Sequence, residues 1–558
     1  MTDETLPSPT PDQQTTPKVP PEAPTPAPQK PEPKRPGIIR SSLIFSGLTL
    51  VSRFMGLARD LVITARLGAS QTIAADAYYT ALSFPNLFRR IFAEGAFAAA
   101  FVPAYSRKLA AEGERSADEL AVDGMAALAA ATIVLTILCQ LAMPWLMFVI
   151  NPGYASDPEK YRLAWMLTIV TMPYLPFMAI TALLSGVLNA RGRFILSGAA
   201  PTVLNAVMLL AVIPQKDPVV AAWAACVGVF IAGFFQACLL WWGARRSGAI
   251  LRLAWPRLTP DVKSLIMLAI PGAIAASATQ INIFISGILA SLMDGARAWL
   301  NVADRLYQLP LGMVGVAIGV ALLPRLSQAL GKGDAKDAQE STDLAIVASL
   351  ALALPAAAGM MAVPHYLIDG LFTRGAFTAY DAQQTALALF HYGWGTPAFI
   401  LARVLSPVFF ARQDTKAPMR FALISVAINI VLGVALFYWI GFQGIAAATA
   451  VASWVNVGQM VWALHRRGDY RPSRQAWGKI ARLAAASAIL GALLLYAGMN
   501  RDWIEAPLAG IHFLGLGAKE LGILGLFLVA SAVYPVLVLG TGGMTLAEIK
   551  GMVRRRRA

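Results

Sequence analysis

Charged side chains are scarce in this sequence. Asp, Glu, Lys and Arg make up 14% of its 558 residues, where a soluble globular chain carries about 25%. Apolar residues fill 57% and the mean hydropathy is +0.59, which excludes a soluble fold and predicts a polytopic membrane protein. Cysteine is nearly absent: Cys139, Cys226 and Cys238 each sit inside an apolar run and read as small hydrophobes. They form neither a disulfide framework nor a CxxC pair. The four histidines, His365, His391, His465 and His512, lack HExxH spacing, so no metal site is expected. No GxxxxGK[ST] loop occurs, which leaves ATP hydrolysis without a site. No loop gathers an acid/base pair or metal carboxylates, so no catalytic residue is assigned and no cofactor is expected.

The charge that is present is unevenly placed. Lys and Arg number 46 against 31 acidic residues, for a formal net charge of +15, yet no nucleic-acid-reading motif accompanies them. They crowd alternate loops instead: Arg107, Lys108 and Arg115; Arg191 and Arg193; Arg245 to Lys263; Lys332 and Lys336; Arg412 to Arg420; Arg466 to Lys479; and the tail Arg554 to Arg557. The loops between these carry few cations, so the positive-inside rule places both termini in the cytoplasm. Residues 1–37 are rich in Pro, Thr and Gln and lack an apolar core for a secretory signal; a disordered, dispensable cytoplasmic tail is expected.

Fourteen apolar segments are long enough to cross ~30 Å of hydrocarbon. They span approximately 40–67, 74–106, 121–150, 160–189, 196–214, 218–244, 262–293, 298–329, 339–364, 382–411, 418–440, 443–465, 477–499 and 519–541. An internal repeat divides them. Pro103-Ala-Tyr-Ser106 recurs as Pro324-Arg-Leu-Ser327, Ala190-Arg191 as Ala411-Arg412, and Trp241 with Arg245-Arg246 as Trp462 with Arg466-Arg467, each at an offset of 221. The expected fold is therefore all-α, with two six-segment repeats in the same orientation, an N-lobe (38–247) and a C-lobe (261–468). Two extra segments follow over 477–541, then a basic cytoplasmic tail, 542–558.

Several charges fall inside the segments, where each costs at least ~2.5–3.5 kcal/mol on insertion scales. The first segment holds Arg53, Arg59 and Asp60; the second holds Asp76, Arg89, Arg90 and Glu94. Ser52 shares a helical face with Arg59, and Arg53 with Asp60 on the adjacent stripe. Counting from Arg40, Arg53 lies ~20 Å deep, beyond reach of the interface. Arg90 and Glu94 form an i, i+4 pair, which leaves Arg89 as the better ligand. The eighth segment offers Asp304 and Arg305 ahead of a break expected at Pro310 and Gly312, and the tenth offers Arg403, equally suited to a structural pair. Cations outnumber acids, so a protein-lined cavity for an anionic guest is favoured over Arg–Asp pairs that merely tie helices together.

SRFMGLARD from Ser52, DAYYTALSFPNLFRRIFAEGAFAAAFVP from Asp76 and ADRLYQLPLGMVGVAIGVALLP from Ala303 resemble the MurJ/MviN lipid II flippases. LNARGRF from Leu188 and ARQDTKAP from Ala411 fit the same family, part of the multidrug/oligosaccharidyl-lipid/polysaccharide exporter superfamily. The resemblance runs from about Arg40 to the end. It implies a fourteen-helix fold in the bacterial inner membrane that moves undecaprenyl-pyrophosphoryl-disaccharide-pentapeptide (lipid II) to the periplasmic leaflet for peptidoglycan synthesis. It implies substrate binding by Arg53, Arg59, Arg89 and Arg305 with Ser52, supported by Asp60, Asp76, Asn86, Arg90, Glu94 and Asp304. The two extra segments resemble a pair that forms a groove for the polyprenyl tail. Lipid II, membrane lipids and cell-wall synthesis or division proteins are the implied partners. Segments 7, 11 and 12 lack interior carboxylates, a departure that speaks against the sodium site of some relatives; the membrane potential is the expected drive. The alternatives are another polysaccharide-lipid exporter of the superfamily, or a non-transporting scaffold for cell-wall enzymes.

Overall fold

A computed structural model describes residues 38–90, 97–511 and 517–545, with backbone alone at 38–46, 48–50, 97–99, 271–279 and 313–321. The expected tail 1–37, Glu94 and all but the start of the basic tail fall outside the described residues. Among them the structure is helical and contains no strand. The first half comprises α1 (Ile38–Leu67), α2 (Ala74–Phe88), α3 (Phe97–Ala111), α4 (Glu114–Ile150), α5 (Pro158–Thr171), α6 (Tyr174–Ala190), α7 (Phe194–Val212) and α8 (Pro218–Arg246). The second comprises α9 (Pro260–Ala290), α10 (Ala296–Gly331), α11 (Ala335–Ala362), α12 (Pro364–Phe372), α13 (Ala379–Phe410), α14 (Lys416–Ile440) and α15 (Gln443–Arg467). Beyond the repeats lie α16 (Arg474–Met499), the short α17 (Arg501–Glu505) and α18 (Ala518–Gly540).

Ten of these segments are long and apolar enough to cross a membrane, α5 and α6 counting as one. The other four expected spans fall on α1, α2 with α3, α9 and α10. Helix starts are written in the sequence. Asp157, Asp217 and Thr259 each precede a proline and each accept a backbone N–H of the first turn, satisfying donors that have no partner inside the helix. The break expected at Pro310 and Gly312 does not occur, because α10 runs unbroken past Pro310 and Pro324. A membrane-embedded helix tolerates the lost backbone bond where neighbouring helices hold the turn.

The two halves pack alike. In the first, α8 lies between α6 and α7, α4 against α6, and α1 against α7; in the second, α15 lies between α13 and α14, α11 against α13, and α9 against α14. Even the loop contacts recur: Arg191 donates to Ser247 O and Arg412 to Asp469 O. α9 also reaches into the first half, where Leu265 joins the core of α3, α4 and α6 and Asp261 meets Lys108 at 2.5 Å. α16 lies along α11, and α18 along α16 and α12. Their outer ends are fastened by Arg501 and Lys519 on Asp369, at 3.4 and 3.8 Å, and by Arg374 on Glu520 at 3.5 Å.

The side of the bundle remote from the basic loops is knitted shut between the halves. The N–H of Ala376 donates to Ala65 O at 2.8 Å. This approach needs Gly375, whose φ is +59° and where a Cβ would lie 2.2 Å from Ala65 O. Asp381, at the start of α13, accepts from Ser70 N and Oγ (3.0 and 2.6 Å) and from Trp299 Nε1 (3.0 Å). Asp76 is fully buried here and does not face the central arginines. It meets Lys160 Nζ at 2.7 Å and accepts the N–H groups of Gly295 and Ala298 at 2.9 and 3.2 Å. The physical reason is its place at the start of α2, level with the N-terminus of α10, whose free N–H groups and positive dipole end attract a carboxylate. Lys160 reaches on to Asp294 at 2.8 Å.

Lys160 and Asp76 are 3% and 1% exposed, so removing one charge strands the other. Lys160→Met is expected to cost about 3–5 kcal/mol, and Lys160→Met with Asp76→Asn to cost less than that single change. Thermal unfolding of the purified chain in detergent measures both; additive losses would show that the pair is not coupled.

Candidate functional site

Arg59 lies mid-bundle on α1 with its side chain 12% exposed. Its Nε and Nη2 both donate to Asp60 Oδ1, at 3.0 and 2.7 Å, and its Nη1 donates to Asn205 Oδ1 on α7 at 2.9 Å. Asn205 in turn donates from Nδ2 to Ser52 O, two turns back on α1, at 2.9 Å. Gly56 faces the Asn205 amide, which would lie in ordinary contact, at 3.6 Å, with a Cβ there. The second oxygen of Asp60 accepts from Arg305 Nε of α10 at 3.0 Å, so one carboxylate joins the two halves. Arg305 is 47% exposed although its neighbours Val302 and Leu306 are buried, which leaves most of its fork accessible.

Arg53 makes the second crossing from α1 to α10. Its guanidinium lies against Gly312, where a Cβ would come within 1.9 Å of Nη1. Arg59 and Arg305 thus share the Asp60 carboxylate, and Arg53 lies two turns further along α1 against α10. Neighbouring groups extend the patch. Tyr78 and Tyr79 lie within electrostatic reach of Arg59, and Asp304, bonded by Gln308 Nε2, within reach of Arg305 and Arg90. Arg89 Nε donates to Asn86 Oδ1 at 3.3 Å, at a π-helical turn of Arg89 and Arg90 that closes α2. Arg403 of α13 is exposed and within reach of Tyr307.

The structure thus brings Arg59, Asp60 and Arg305 together, with Ser52 contributing its carbonyl to Asn205 and Arg53 meeting α10 separately at Gly312. It sets Asp76 apart in the closed side, and Glu94 lies outside the described residues. Sequence reasoning missed Asn205 and Gly312. The available signal for Asn205 was a single amide in the otherwise apolar segment 196–214. The matching place in the second half is neutral: Asn429 of α14 donates to Asn282 of α9 at 2.8 Å, and Thr449 to Asn429 at 3.5 Å. Chemically the cluster can hold an anion through planar, permanently charged forks.

The family model described as Lipid II flippase MurJ matches residues 63–509. The probable lipid II flippase MurJ of Rhizobium tropici is 40% identical over 529 residues, covering 93% of this chain and 97% of its own. The lipid II flippase MurJ of Burkholderia cenocepacia is 34% identical, over 84% and 91% of the two chains. Among solved structures, a lipid II flippase MurJ in an inward closed conformation aligns with a TM-score of 0.71 at 22% identity, over 89% of this chain and 98% of its own. An inward-facing multidrug resistance MATE family transporter of the MOP superfamily aligns at 0.61 with 14% identity, over 76% and 98%. These two share the fold. The family match takes in the first repeat from the end of α1 onward, the whole second repeat, α16 and α17, and the chain belongs to the lipid II flippase MurJ family.

Proposed function

We propose that this chain is a lipid II flippase that carries undecaprenyl-pyrophosphoryl-disaccharide-pentapeptide from the cytoplasmic to the periplasmic leaflet of the bacterial inner membrane. The observation that carries the reading is the surplus of Arg53, Arg59 and Arg305 over Asp60 between α1 and α10. A diphosphate offers charged oxygens at the spacing an arginine fork accepts, and arginine stays charged when water is excluded. Counting α1, α2 with α3, α9 and α10 beside the ten apolar spans gives fourteen crossings, with both termini and the basic loops in the cytoplasm. In that orientation the knitted side is periplasmic, and the arginines open toward the leaflet from which substrate is taken. No bond is made or broken. Moving an anion out of an inside-negative cell is favoured by about 2.3 kcal/mol per charge per 100 mV, so the potential suffices as drive. The sugar and peptide lie between the lobes, while the polyprenyl chain stays in lipid beside α16 and α18. Depleting the protein and measuring lipid II in each leaflet tests the whole reading: accumulation in the cytoplasmic leaflet is expected, and an unchanged distribution refutes it.

Arg59→Ala and Arg305→Ala should each abolish complementation of a depleted strain while the protein remains in the membrane. Each deletes charge-assisted contacts worth about 1.5–3 kcal/mol. Lysine should rescue poorly, because it lacks the planar fork. Normal growth on either alanine variant would remove that arginine from the site.

Gly312→Ala probes the same cluster from α10. The added methyl occupies the Arg53 guanidinium position, so a several-fold loss of transport with unaltered membrane content is expected. A flipping rate equal to the parent's would mean that Arg53 moves aside at no functional cost.

Gly525 of α18 tests the tail. A Cβ there meets nothing within 4 Å, whereas one at Gly491 touches Ala358 at 3.4 Å, so only Gly525→Trp adds bulk without wedging helices apart. Transport of full-length lipid II should fall more than that of a short-chain analogue. Equal losses would argue that α18 does not guide the chain.

A further inference from the structure

We infer that Asn205 is a positioning residue of the anion site, holding the Arg59 guanidinium in the orientation that receives phosphate. The inference rests on the flippase reading and adds a residue to it. One amide binds two points of α1: its Oδ1 accepts Arg59 Nη1 at 2.9 Å, and its Nδ2 donates to Ser52 O at 2.9 Å. It therefore fixes the side chain and the backbone that carries it in a single plane. Asn205 is 5% exposed, so water does not compete for either bond.

The donor count gives the functional consequence. Arg59 has five N–H groups. Nε and one N–H of Nη2 go to Asp60, and one N–H of Nη1 goes to Asn205. One N–H of Nη2 remains, with one of Nη1 against only the weak acceptor Met208 Sδ at 3.9 Å. Asp60 alone grips one edge of the guanidinium through a single oxygen, about which the group can pivot. Asn205 supplies the second point that stops the pivot and presents the remaining donors beside Arg305. The second repeat supplies an internal control, because Asn429 joins α14 to α9 through the neutral Asn282 and accepts from Thr449, with no arginine in either bond.

Binding of fluorescently labelled lipid II to the full chain in nanodiscs tests the inference. Asn205→Ala should weaken affinity about ten-fold, as expected for a bond to a charged group. In an Arg59→Lys background the same change should have little further effect, since the group it positions is gone. Asn205→Asp fills the same space but sets a second carboxylate on Arg59, and should weaken binding more than alanine does. A purely packing role predicts the reverse, with the isosteric Asp tolerated. Asn429→Ala should leave affinity unchanged. Parental affinity in Asn205→Ala, a ten-fold loss that persists in the Arg59→Lys background, or parental affinity in Asn205→Asp would each overturn the assignment. Should Asn205→Ala fail to fold, the Asp variant decides alone. Failure of the parent protein itself to bind lipid II would defeat the flippase reading and this inference with it, an outcome distinct from failure of the variants.

Discussion

A guanidinium held away from water must find acceptors, and that demand organises the centre of this protein. Arg59 takes two bonds from Asp60 and one from Asn205. Placing a charge at bilayer depth costs at least ~2.5–3.5 kcal/mol, and a hydrogen bond to a charged group returns about 1.5–3 kcal/mol, so two or three such bonds make the position tenable. The same bonds settle the neighbours. Asn205 ties α1 to α7, and the free oxygen of Asp60 draws Arg305 across from α10. Among the described residues, two cations, Arg59 and Arg305, then share the single carboxylate of Asp60. The residues that stabilise the cluster are the same ones that give it its surplus of positive charge.

Duplication gave two copies of one helical scaffold, and the copies diverged in chemistry while keeping their packing. α1 meets α7 through Arg59 and Asn205, whereas α9 meets α14 through Asn282 and Asn429. The neutral amides bond each other and Thr449, whereas the charged pair leaves donors over. The closed side shows a third solution. There Asp76, Lys160 and the backbone of Gly295 and Ala298 neutralise one another inside protein, leaving little to offer a ligand. Charge in this bundle is therefore of two kinds, and the partner count, not the residue type, separates them.

That distinction explains what was legible in the sequence. Helical spans, alternating basic loops and the repeat are local or periodic features, and the capping pairs Asp157-Pro158, Asp217-Pro218 and Thr259-Pro260 lie where the apolar runs begin. Arg53, Arg59 and Asp60 were legible because charge in an apolar segment is conspicuous by itself. Asp76 was equally conspicuous and was grouped with them. Its partner Lys160 is 84 residues away in the first turn of α5, and nothing local reveals the pairing. Asn205 is 146 residues from Arg59, and an amide in an apolar helix has many possible uses until its neighbour is known. Sequence exposes the presence of an interior polar group; only the fold tells whether it is already satisfied.

The same logic extends outward to the lipid. The two least apolar of the ten spans are well sheltered: two thirds (67%) of the most apolar stretch of α13 is buried, and half (50%) of that of α15. The most continuously apolar helices are the least covered, with 17% of the corresponding stretch buried in both α14 and α18. This gradient is what a membrane solvent dictates, because lipid rejects polar groups but gives apolar side chains no reason to hide. It also assigns the work of the bundle. α1 and α10 carry arginines that meet acceptors between the halves, and α18 can stay nearly bare because it bears no charged residue beyond its first turn. One constraint thus leaves the central arginines on helices joined across the two halves and the barest surfaces on α14 and α18.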